Sequence, residues 1–279
     1  MPKDLDDWHA AVGGYVTRPR FEEYSKKYAD YFVMTREDGI LELRMHTDGG
    51  PAQFGFATHN AWGQAWQEIG NDPDNEVLIL TGTGDQWIAT DGRKPADRDL
   101  KDIVPVAPPP SFSYEHTYYD ATKLLENMVF GIDIPTIAAI NGPSPAHTEF
   151  GLLCDITLAA EHTTILDPHF PTGVAPGDGL QLTLQEALGT KRAAYYLYTA
   201  TPIDARTALE LGLVNEVLPL DGLLPRAREI AEAIMRQPRT ARRFTHAIAQ
   251  RPWKRRLVQD LGFGLAHEMF GAAADHRFG

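Results

Sequence analysis

Two short runs rich in β-prone side chains, residues 31–36 and 40–45, flank Glu37-Asp38-Gly39. From Leu41 to Met45 the second run alternates apolar and polar positions, as in a half-buried strand, so the pair predicts a hairpin. Residues 59–70 predict a helix, 71–75 a polar turn, and 76–81 a short, continuously apolar strand of the kind covered on both faces. A charged stretch then leads into a proline-rich one, and 91–112 reads as a long loop of the sort that often belongs to a site. A helical pattern over 114–129 ends near Gly131, and a buried strand follows over 134–141 with Pro135 at its start. Further strands are expected at 155–160 and 164–166. Beyond Gly179 the pattern is mostly helical, broken by a strand over 213–218. Asp204 is a good N-cap for 205–211 and Gly212 its stop signal. Helices over 222–236, 239–250 and 253–271 close the chain. Strands and helices alternate first and helices follow, which predicts an α/β core over residues 1–215 and a helical region over 216–279.

At 279 residues the chain suits one large domain or a core with an appendage, and its 43% hydrophobic and 23% charged residues are ordinary globular composition. The formal charge of −12 argues against a nucleic-acid partner, which needs clustered Lys and Arg. The basic stretch Arg251-Pro-Trp-Lys-Arg-Arg256 reads as a solvated helix face. With Asp4, Asp6 and Asp7 near the start and no long apolar run, neither a secretory signal nor a membrane span is expected, and the cytoplasm is the expected location. Cys154 lies in an apolar run and reads as a buried, inert thiol.

Three positions stand out chemically. His169 lies between Pro168 and Pro171, with Asp178 nine residues on. A histidine with a carboxylate partner is a general base in waiting, yet the same residues could be a loop histidine bonded to backbone and a helix N-cap. His147 follows a buried strand at its turn into a helix, where open α/β sheets place ligands; a surface turn histidine is the competing reading. Leu257, Leu261 and Leu265 form an apolar stripe that Glu268 continues, and a carboxylate on such a stripe calls for a partner, a site or a subunit contact. The histidine spacings fit no metal motif, and there is no phosphate-binding or dinucleotide-binding glycine pattern, so neither metal nor cofactor is expected.

Four segments, 77–84, 134–142, 154–161 and 201–217, together resemble the crotonase (enoyl-CoA hydratase/isomerase) superfamily in the family's order. The resemblance implies a crotonase-like repeated ββα core with a helical C-terminal trimerisation region, hence a homotrimer or a dimer of trimers with the apolar stripe of Leu257, Leu261 and Leu265 in the interface. It also implies an oxyanion hole of two backbone N–H groups near Asp91 and Ala146. The usual glycine-rich run after Asn-Gly is replaced by Pro143-Ser-Pro-Ala-His147, and Ala89-Thr-Asp-Gly92 departs from the family pattern too.

Asp167-Pro-His-Phe-Pro-Thr-Gly-Val-Ala-Pro-Gly-Asp-Gly179, with His59, His147 and Glu268, is similar to the β-diketone hydrolase branch typified by the 6-oxocamphor hydrolases. That branch implies a catalytic set of His169, Asp178, His147, His59 and Glu268, with His59 and Glu268 as partners. It implies substrate-binding positions at Phe54, Trp87, Asp91 and Ala146; Phe54 stands where the camphor enzymes carry Trp. Glu149 occupies the place of the hydratases' first glutamate and reads as structural, while His169 occupies the second. The implied reaction is a cofactor-independent retro-Claisen hydrolysis of a β-diketone. A hydratase or hydrolase of coenzyme A thioesters and a non-enzymatic ligand-binding member are the competing expectations.

Overall fold

The protein's structure, a computed structural model, describes residues 5–89, 111 and 113–274. The expected loop over 91–112, apart from Ser111, and Asp91 within it lie outside these residues. Helices α1 (Leu5–Val12) and α2 (Phe21–Lys27) precede the expected hairpin of β1 (Phe32–Glu37) and β2 (Ile40–Met45). Asp38 and Gly39 turn it with φ of 48° and 82°, the left-handed pair that matches strand twist in a two-residue loop. Then come α3 (Phe56–Asn71), β3 (Val77–Gly82), α4 (Asp120–Gly131), β4 (Thr136–Ile140), α5 (Glu149–Leu152), β5 (Ile156–Ala160) and β6 (Thr164–Ile165). The chain continues through α6 (Leu180–Thr199), β7 (Ile203–Asp204), α7 (Ala205–Glu210) and β8 (Glu216–Leu218). It ends in α8 (Leu220–Met235), α9 (Arg239–Ala249) and α10 (Arg251–Ala274).

Six strands form one sheet in the order β1-β2-β3-β4-β5-β8; β1 runs antiparallel to β2 and all other neighbours are parallel. β3 and β4 are buried along their whole length, so alternate side chains serve opposite faces. Leu78, Leu80, Ala138 and Ile140 belong to a core shared with Trp62 and Trp66 of α3, Leu124 and Met128 of α4, and Leu257 of α10. Val77, Ile79, Ile137 and Ala139 face the other way, onto Leu223, Ala227 and Ala231 of α8. Both layers exclude water from the sheet, which explains why these strands carry no polar alternation.

The last strand begins later than its apolar pattern suggests. Leu213 and Val214 donate from their backbone N–H to Ala208 O, at 2.8 and 3.4 Å, and so close the end of α7; Gly212 supplies the positive φ. The expectation that Leu257, Leu261 and Leu265 face another subunit is corrected. All three are buried within their own chain, because α10 folds back onto α4 and α6. The exposed apolar residues of α10 are Val258, Phe263 and Phe270.

The loops after β3 and β4 are clamped together. Asn141 donates from Nδ2 to Gly84 O and Gln86 O, both at 2.9 Å, and accepts from Gly82 N at 3.2 Å. The next residue has no room for a side chain, since a Cβ on Gly142 would lie 1.8 Å from Asp85 O. Gly142→Ala is therefore expected to destabilise the protein by about 1–3 kcal/mol, the usual cost of overpacking, measured as a lower midpoint in urea unfolding.

Candidate active site

The loop after β4 delivers His147 in a left-handed conformation (φ 54°), which costs a non-glycine residue of order 1–2 kcal/mol. Its surroundings hold it there. Trp87 Nε1 donates to His147 O at 2.9 Å. The imidazole stacks between Phe150 (5.2 Å between centroids, 7° between planes) and Phe54 (5.2 Å, 26°). Its Nδ1 meets Glu149 Oε1 at 2.7 Å and its Nε2 meets His59 Nε2 at 2.8 Å. His59 comes from the first turns of α3, which place it edge-on to Phe54.

His169 sits in the stiff loop between β6 and α6. Its own N–H donates to Asp167 Oδ1 at 3.0 Å, a local turn in which the side chain of Asp167 substitutes for backbone. The same oxygen meets His169 Nδ1 at 2.9 Å. The other ring nitrogen, Nε2, faces Asp178 Oδ2 at 3.6 Å and Glu268 Oε1 at 3.8 Å. Helix α10 can bring Glu268 this near because two glycines meet: a Cβ on Gly177 would lie 2.3 Å from Gly264 O, and one on Gly264 would lie 2.6 Å from Gly177 O.

Several sequence expectations are thereby redrawn. The carboxylate on His169 Nδ1 is that of Asp167, whereas Asp178 lies towards Nε2. His59 pairs with His147 instead of with Glu268, and Glu268 approaches His169. Asp178 also has a carboxylate oxygen near both His147 and His169. Trp87, expected at the substrate, is fully buried with its indole N–H committed to His147 O. Ala146 lies beside His147 and its carbonyl accepts from Ser144 Oγ at 3.0 Å. Asp91, the other expected member of the oxyanion pair, is outside the described residues. The residue overlooked is Asp167, whose Asp-Pro-His turn was a legible signal; Glu149, read as structural, meets His147.

Charge shapes the cluster. Burial alone would keep His169 neutral, but the charge of Asp178, the hydrogen bond of Asp167 and the charge of Glu268 overcome it and raise its pKa well above the ordinary value. Burial pushes Glu268 up to about 8, against the pull of His169. His147 is likewise raised: burial opposes its charge and Glu149 outweighs that opposition. Burial raises Glu149 as well. His59 is held well below its ordinary value, by burial first and by His147 second. One imidazole is thus oriented by a carboxylate beside further carboxylates, and a second imidazole, its pKa also raised, lies across Asp178, a set that can move a proton and stabilise an oxyanion.

Two overlapping sets, His147 with Glu149 and Asp178, and His169 with Asp178 and Glu268, each bring three ligand-type atoms within 4.8 Å. In the first, both ring nitrogens of His147 are already hydrogen-bonded. In the second, His169 Nε2 faces two carboxylates and could meet a cation.

The raised His169 should hold its proton at neutral pH and release it only as the pH climbs. Asp178→Asn should move that release to lower pH, and by more than Glu268→Gln does, because Asp178 is the leading positive influence. Histidine NMR titration reads this directly; an unmoved His169 in Asp178→Asn would contradict the electrostatic account.

Residues 36–277 match the family model described as enoyl-CoA hydratase/isomerase. The crotonyl-CoA hydratase of Syntrophomonas wolfei is 30% identical over 182 residues, 65% of this chain and 66% of that protein. The carnitinyl-CoA dehydratase of Salmonella enteritidis PT4 is 28% identical over 203 residues, covering 72% and 73%. Among solved structures, a β-diketone hydrolase from the cyanobacterium Anabaena sp. PCC 7120, bound to (S)-3-oxocyclohexyl acetic acid, is 36% identical. It superposes with a TM-score of 0.81 over 91% of this chain and 98% of that one. The enoyl-CoA hydratase of Bacillus anthracis is 25% identical with a TM-score of 0.67, over 87% and 90%. With the matching fold and a polar cluster at the ends of its parallel strands, the chain belongs to the enoyl-CoA hydratase/isomerase family and is an enzyme of the crotonase superfamily.

Proposed function

We propose that the protein is a hydrolase that cleaves a carbon–carbon bond in a β-diketone, most simply a cyclic one, by a retro-Claisen reaction. The observation that carries this reading is His169, held on Nδ1 by Asp167 with Nε2 turned towards Asp178 and Glu268. At 3.6 and 3.8 Å these groups make no direct hydrogen bonds, and a water that meets His169 Nε2 lies beside both carboxylates in this reading. Neutral His169 takes a proton from that water, and the hydroxide adds to one ketone carbon. The tetrahedral alkoxide collapses, the bond between that carbon and the α-carbon breaks, and its electron pair leaves as the enolate of the second ketone. His147 donates to the oxygen that gathers charge. The proton held by His169 or Glu268 is returned to the α-carbon, and a keto acid results.

The neighbour from Anabaena supports this reading, since the molecule bound to it is itself a keto acid. Phe54, packed on His147 and His59, supplies an apolar wall. The CoA-named relatives carry the competing reading, in which the substrate is a coenzyme A thioester.

A panel of cyclic 1,3-diketones run beside crotonyl-CoA decides between the two. Hydrolysis of free diketones to keto acids is expected; turnover of the thioester alone would select the other reading. His169→Ala should abolish nearly all diketone turnover, whereas His147→Ala should leave a residue after the roughly 10²–10³-fold loss typical of a missing oxyanion donor. Since His169 must be unprotonated to act and its pKa is raised, kcat/KM should climb as the pH rises above the ordinary histidine range.

We infer too that the working form is a homotrimer or a dimer of trimers, with the exposed Val258, Phe263 and Phe270 of α10 available to the interface. Light scattering should give three or six times the 31.0 kDa chain mass; a stable single chain at micromolar concentration would overturn it.

A further inference from the structure

We propose that Glu149 is a positioning residue for His147, anchoring the ring through Nδ1 and supplying the countercharge that lets Nε2 present a donor proton to the substrate oxygen. The inference rests on the diketone reading only for the identity of that oxygen. Glu149 opens α5 two residues after His147, and its Oε1 lies 2.7 Å from Nδ1. The two side chains are 1% and 4% exposed, so neither charge is answered by bulk water. Oε2 has no hydrogen-bond partner among the described residues. A buried carboxylate in that state needs a cation beside it or a proton of its own, and His147, which can supply either, is the group in contact with it.

The carboxylate has little freedom to leave. Gly179 backs it closely, since a Cβ there would lie 3.4 Å from Glu149 Cγ and 2.2 Å from Leu125 Cδ1. The imidazole cannot tilt either, clamped between Phe150 and Phe54. With the ring plane fixed, one nitrogen must point at Glu149 and the other at His59. Buried and neutral, His59 accepts from His147 Nε2–H; a ketone oxygen arriving at the same face competes for that proton. Glu149 therefore acts on the reacting oxygen through His147, without touching substrate. The other ionisable groups facing His147 are His59 from α3, His169 and Asp178 from the loop before α6, and Glu268 from α10.

The test is Glu149→Gln, which keeps an oxygen able to accept from Nδ1–H and removes the charge. In NMR titrations, with resonances assigned through His147→Ala, the proton of His147 should be lost at lower pH than in the wild type. With a diketone that the wild type hydrolyses, kcat should fall more than KM rises, within the roughly 10²–10³-fold cost of a lost oxyanion donor. A lower melting temperature with the His147 transition and kcat unchanged would show a merely structural residue and overturn the proposal. Should Glu149→Gln not fold, the wild-type spectrum decides. A downfield Nδ1 proton on His147 that persists at neutral pH is expected, and its absence overturns the proposal. Both NMR readings hold even if no diketone is turned over, so failure of the reaction assignment and failure of this inference are separable.

Discussion

Glu149, Asp167, Asp178 and Glu268 are drawn out of water together, and the groups that answer their charge in the cluster are imidazoles. Removing a carboxylate from water costs several kcal/mol unless a cation or a proton compensates it. Histidine can supply either kind of relief near neutral pH, which fixed cations such as Arg and Lys cannot. The result is a cluster whose proton count is set by mutual repulsion and attraction. His169 and His147 are driven to hold protons, Glu268 is driven up to about 8, and His59 is driven to give its proton up. Asp178 is the hinge of this balance, because its charge raises the pKa of both His147 and His169 and of both buried glutamates.

The fold meets that demand with close backbone approaches. Gly142 against Asp85 fixes the loop after β4, Gly177 against Gly264 sets the depth of α10, and Gly179 closes the space behind Glu149. Trp87 holds the carbonyl of His147 from within the core and so braces the strained residue. The parallel sheet contributes by direction: loops following its strands emerge at one end, and His59 from the start of α3 and Glu268 from α10 reach the same cluster. Such a scaffold supports many chemistries, and what is particular to this chain lies in the side chains at that end. In the proposed reaction His169, at the position that the resemblance gives to a hydratase glutamate, is the group that activates water against a ketone.

Much of the architecture was legible in the sequence. The hairpin, the continuously apolar strands and the caps at Asp204 and Gly212 follow from local rules, for backbone geometry, side-chain alternation and capping are decided within a few residues. The apolar stripe on α10 was equally visible, and so was the unusual carboxylate that continues it. Resemblance brought His59, His147, His169, Asp178 and Glu268 forward as one set, and the structure does gather them.

What the sequence could not fix was who touches whom. It determined that α10 has an apolar face, but the choice between another subunit and its own chain depended on where the helix folds back. It offered Asp178 as the partner of His169, yet Asp167 takes Nδ1, because an Asp-Pro-His turn bends its carboxylate back onto the ring. It left Glu149 as a structural residue, since the ring clamp that aims His147 at it needs Phe54, from a distant segment, as well as the nearby Phe150. Periodicity and caps are properties of one segment, and the sequence by itself determined those. Hydrogen bonds and charges act through space in fixed directions, so the pairing of four carboxylates with three histidines was decided only when the segments met.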